Sequence, residues 1–192
     1  MARTQKQKTK QLCAVAYHEA GHTVANLVYR RRFEHVTIIP DGDTLGCVHF
    51  GRWARSLVRK RERIEEAGFI DFGSLVTSSA GAVAEKEAMG RFDNYGARED
   101  CNANDVLLNE RSLFSNWAAY QPNKPRHTTA RLWAAAQGEA HAIVSLFWPA
   151  IEAIAKALLE RKLLTYAEAK QIHFDALAPP KSKLVRGVQH GS

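Results

Sequence analysis

Residues Tyr17–Val28 read YHEAGHTVANLV. His18 and His22 stand four apart, Glu19 follows the first, and apolar residues surround all three. On a helix turning about 100° per residue, His18 and His22 share a face with Val15 and Ala25, and Ala16, Ala20, Val24 and Leu27 lie opposite. The pattern predicts a helix from Leu12 to Arg30. A helix that is apolar nearly all round is buried. His18-Glu19-Ala20-Gly21-His22 also matches H-E-x-x-H, and that spacing has a chemical reason. Two imidazoles one turn apart reach a single zinc ion at about 2.0–2.1 Å. A glutamate after the first histidine projects beside the ion, where it takes a proton from bound water. The motif also occurs by chance in unrelated chains, and two helical histidines are often plain core or surface residues. Burial decides between these readings, because two histidines and a glutamate in apolar surroundings are costly unless partnered. A metal removes that cost. The residues alone leave the third ligand open among Glu85, Glu87, Asp93, Glu99, Asp100 and Asp105, with His35, His49, His127 and His141 as further imidazoles.

The remaining features bound the setting. A chain of 192 residues with 45% hydrophobic content builds one domain of moderate size. No apolar run approaches the roughly 20 residues that span a bilayer. The start, MARTQKQKTKQ, lacks the apolar centre and cleavage site of a secretory signal. The expected location is the cytoplasm. Three scattered cysteines, Cys13, Cys47 and Cys101, form no CxxC pair and are expected to be reduced. The net charge of +7 is concentrated at Lys6, Lys8 and Lys10, at Arg52 to Arg63, and at Lys181, Lys183 and Arg186. Without a zinc finger or RNP motif beside them, these clusters read as solvated surface rather than a nucleic-acid footprint.

Outward from the first helix, HVTIIP predicts a strand over Val36 to Ile39, and Asp41-Gly42-Asp43 a turn. Leu45 to Phe50 follows as a second strand, with Gly46 as a bulge, so that the two pair as a hairpin. Helices are expected over Arg52 to Glu66, over Phe69 to Met89 with Gly90 at its end, and over Ala97 to Trp117. A long helical pattern begins at Thr128, with Pro149 kinking or restarting it. Thr165 caps a final helix, and Glu168 sits where a capping box needs it. The resulting class is mainly α, an α+β domain with one small sheet. A basic flexible arm over residues 1–10 precedes a folded body over 11–176, and a flexible basic tail follows over 177–192.

Several of these segments together resemble the peptidase domain of the FtsH-type AAA zinc proteases. HEAGHTVA resembles that family's HEAGHA-V-A, and VTIIPDGDTLGCVHF its VTIIPRG-ALG hairpin. SSAGAVAEKEAMG resembles its GGRAAEEL-FG helix, NYGAREDCNANDV its TGA-ND segment, and IEAIAKALLERKLLTYAEAKQI its terminal helices. The order is kept from Leu12 to His173. The resemblance implies a helical, zincin-like fold with a small hairpin or sheet, and a zinc-dependent metallopeptidase activity. It places the zinc ligands at His18, His22 and Asp100, with Asp105 in reserve, and the general base at Glu19. It also sets Glu85 and Glu87 on a helix packed near the zinc helix, where Glu85 is in a position to contact a ligand histidine. Tyr95 stands where the family has threonine, and Glu99-Asp100 where it has Asn-Asp. The sequence has no G-x-x-x-x-G-K-[ST] phosphate loop.

The expected substrate is a protein or peptide in extended form, added to the edge of the strand Leu45 to Phe50. A separate ATPase that unfolds substrates and a homo-oligomer are the partners the resemblance implies. Two other classes compete. One is a non-proteolytic metal-binding regulatory or interaction module of the same fold, against which the intact Glu19 argues. The other is a basic nucleic-acid-associated protein with an accidental HExxH.

Overall fold

The computed structural model describes residues 5–42, 44–50, 72–90 and 125–179, without the side chains of 125–130 and 132. The helix that carries HEAGH, α1, runs Gln5–Val28. It starts before the expected Leu12 because QKQKTK consists mostly of straight-chain residues that lose little rotamer freedom in a helix. Its first residues, Gln5 to Lys10, are exposed, whereas Ala16, Ala20, Val24 and Ala25 are fully buried.

Two short strands follow, β1 (His35–Thr37) and β2 (Cys47–His49), paired antiparallel with Val36 opposite Val48. They form the expected hairpin, shorter than predicted at both strands. The helices α2 (Phe72–Met89), α3 (Pro125–Leu146) and α4 (Trp148–Arg161) come next, then β3 (Leu163–Thr165) and α5 (Tyr166–Leu177). The expected helices at 52–66 and 97–117 lie outside the described residues. The architecture is mainly helical with one small sheet of order β2-β1-β3, antiparallel throughout.

α1 is the centre of the packing: α2 lies along one side and α4 along another, with α3 behind α2 and α5 behind α4. Ile38, Leu75, Ile151, Ile154, Leu158 and Leu164 are the large side chains sealed in the shared core. Burying each of them stabilises the fold by about 1.5–3 kcal/mol before entropy is subtracted. α3 and α4 meet at a bend of 78°, with Pro149 in the first turn of α4, where its missing N–H leaves no bond unmade. Lys162 closes α4 in the left-handed region at φ 68°, donating its N–H to the Leu158 carbonyl 2.8 Å away. That reversal sends the chain straight into β3. The capping box at α5 is formed as expected: Glu168 N donates to Thr165 Oγ1 at 3.3 Å, and Thr165 N donates to Glu168 Oε2 at 2.8 Å. The bonds that Thr165 N and Thr165 Oγ1 donate to Glu168 Oε2 hold that carboxyl below its ordinary range.

His173 of α5 is buried, 5.6 Å from the ring of Phe147. Burial pulls its imidazole below the ordinary value of 6.5. The folded state then refuses a proton that the unfolded chain accepts, so this contribution is complete above about pH 6.5 and is lost as pH falls through and below it. Urea midpoints taken from about pH 7.5 down to about pH 5.5 are expected to fall, and the decline should be shallower for His173→Phe.

Candidate metal centre

The centre begins with the close crossing of α1 and α2. A side chain at Gly21 would collide with the Ala80 carbonyl and lie 2.7 Å from Ala84 Cβ, so only glycine admits α2 this near. The approach brings two acceptors of α2 to the two imidazoles of α1. His18 Nδ1 lies 3.0 Å from Glu85 Oε2, and His22 Nδ1 lies 2.7 Å from the Thr77 carbonyl oxygen. His18, Glu19 and Glu85 are all buried. Gly81 makes room for the other ring: a Cβ there would sit 2.5 Å from His22 Cε1.

This arrangement fixes the tautomers. A carbonyl oxygen only accepts, so His22 Nδ1 carries a proton and donates it. A carboxylate beside His18 selects the same tautomer there. Both Nε2 atoms then turn their lone pairs into one small volume, 3.0 Å apart. Two lone pairs so placed repel unless a cation joins them. A shared proton would do so, and so would a divalent metal bound by neutral imidazoles, each oriented through its other nitrogen. The two Nε2 atoms therefore suit two of the positions around a zinc ion.

Glu19, between the two histidines in sequence, is buried with its Oε2 sealed from solvent. Its carboxylate runs beside Val15 of its own helix and under Gly46, at the entry to β2. The other candidates divide clearly. Glu87 is exposed on α2, and His141 is exposed on α3. His35 and His49 stack on each other across β1 and β2 at 4.4 Å. Asp93, Glu99, Asp100 and Asp105 lie outside the described residues, as does Cys101. Among the described residues, no group of three or more histidine, cysteine or acidic side chains is gathered to hold an ion. The Thr77 carbonyl and Gly81 are not singled out by motif reading, and Gly46 is expected there only as a bulge. A backbone acceptor has no residue signature, and a glycine that makes room for a neighbour looks like one that makes a turn.

A scan against family models matches Peptidase family M41 over residues 3–111. The chain belongs to peptidase family M41. One curated relative of this M41 chain is the ATP-dependent zinc metalloprotease FtsH 1 of Symbiobacterium thermophilum, 30% identical over 175 residues. That alignment takes in 82% of this chain and 28% of the relative, so the chain spans well under half of the relative's length. Among the described residues no single helix is long and apolar enough to cross a membrane.

Replacing Glu85 by glutamine removes the charge behind His18 and leaves the shape. Zinc affinity, measured by competition with a chromophoric chelator, is expected to fall on the order of 10–100-fold, with helical content unchanged by circular dichroism.

Proposed function

We propose that this M41 chain is a zinc-dependent peptidase that hydrolyses peptide bonds in extended protein segments. The observation that carries the proposal is the pair of imidazoles, His18 buried and His22 partly so, whose outer nitrogens are held by Glu85 and Thr77, leaving both Nε2 atoms facing one point. His18, His22 and Asp100 would hold the ion. Zinc, when bound, would acidify a water molecule and polarise the substrate carbonyl.

The chain's own residues do the rest. Glu19 takes the proton released as the water attacks and returns it to the departing amine, in the ordinary division of labour between a metal and a carboxylate. Glu85 and the Thr77 carbonyl keep the imidazoles in the tautomer that presents Nε2. β2, at the edge of the sheet and beside Glu19 through Gly46, offers main-chain groups to an extended peptide, so recognition depends little on side chains. A folded substrate has no such free strand to offer, and we assign its unfolding to an ATPase, by analogy with the ATP-dependent relative. Function in the cytoplasm is part of the same proposal.

Two measurements test it together. Elemental analysis is expected to give about one zinc per chain in both the wild type and Glu19→Gln, as an intact ligand set requires. Cleavage of casein or an unstructured peptide should occur in the wild type alone. Asp100→Ala should lose both zinc and activity. Equal cleavage by Glu19→Gln would remove Glu19 from the mechanism. A peptide N-methylated along its backbone should bind more weakly if edge pairing is the mode of recognition.

A further inference from the structure

Gly46 invites a reading beyond a bulge. The glycines with positive φ among the described residues are Gly42 and Gly90, so backbone freedom does not explain Gly46. Space does. A Cβ at this position would lie 2.8 Å from Glu19 Cγ, 3.0 Å from Glu19 Oε1 and 2.8 Å from Val15 Cγ1. Non-bonded carbons settle at about 3.5–4.0 Å, so all three contacts are too short to keep. Neither neighbour gives way easily. Val15 is β-branched within a helix and held largely to one rotamer. Cγ lies near the root of the Glu19 side chain, so moving it swings the whole carboxylate.

We infer that Gly46 is a positioning residue for Glu19. Its missing side chain is the slot in which the carboxylate stands, and Val15 forms the opposite wall. The inference rests on the peptidase reading for its catalytic consequence, but the contact belongs to this chain's residues whether or not metal is bound. It joins two functions in one place, since the strand entry that offers an edge to substrate also fixes the base. A longer residue at position 46 would disturb the base before it disturbed strand pairing.

The test is a double-mutant cycle read in two ways. Gly46→Ala is made in the wild type and in Glu19→Ala, and the melting temperature of each metal-free protein is measured. The expected loss is about 2–4 °C or more in the wild type and measurably smaller in Glu19→Ala, where only the Val15 contact remains. With zinc restored, Gly46→Ala should lower kcat about 10–100-fold, with KM within about twofold and zinc content unchanged. Val15→Ala added to Gly46→Ala should recover part of kcat. Equal melting losses in both backgrounds overturn the inference, and so does a wild-type kcat in Gly46→Ala. If Gly46→Ala does not fold, Val15→Ala/Glu19→Ala/Gly46→Ala must fold, and its failure to do so also overturns it. A wild-type protein that cleaves nothing defeats the peptidase reading alone, because the melting cycle still reports whether Gly46 sets the place of Glu19.

Discussion

The approach of α1 to α2 at Gly21 is the constraint on which the rest depends. Backbone meets backbone there, since a single methyl group at Gly21 would collide with the Ala80 carbonyl. Protein interiors are close-packed and transmit such displacements rather than absorbing them. Pushing the helices apart would withdraw Glu85 from His18 and the Thr77 carbonyl from His22, one turn to either side of the contact. The run of small residues in α2, Ser78-Ser79-Ala80-Gly81, is thus an electrostatic device as much as a packing one. It sets the distance at which a carboxylate and a carbonyl choose the tautomers of two histidines.

Burial makes that choice consequential. Two carboxylates, Glu19 and Glu85, and the His18 imidazole are buried, and the His22 imidazole is partly so. In water their orientations would be exchanged freely with solvent; in an apolar core each unmade bond costs about 1–3 kcal/mol. With each Nδ1 committed inward, the two Nε2 atoms are left to meet a proton or a cation between them. The direction in which this pair presents its Nε2 atoms therefore follows from helix packing as well as from the motif itself.

Much of this was legible in the sequence, and the losses have physical reasons. The buried helix, the hairpin and the Thr165–Glu168 capping box are local, set by residues a few positions apart. β3 was missed because Leu163–Thr165 is too short to show a period, and because its partner is remote: Thr37 Oγ1 donates to the Lys162 carbonyl across 125 positions. The place of Glu85 behind His18 was foreshadowed only by family resemblance, since nothing local to either residue encodes a bond between residues 67 apart. The Thr77 carbonyl could not be found at all, because every residue carries one.

Glycine is where sequence and structure part most instructively. Gly42, with φ at 59° and open space around it, answers to turn geometry, as its Asp-Gly-Asp setting suggests. Gly21, Gly46 and Gly81 each stand instead against a specific neighbour: the backbone of α2, the Glu19 side chain and the His22 ring. Each forbids a methyl group for the sake of another residue's position, so the requirement appears only once the partner is in place. Gly21 lies within the HExxH turn, and the other two border it from other elements. The motif supplies the chemical groups, and these three absent side chains supply the room in which those groups hold their geometry.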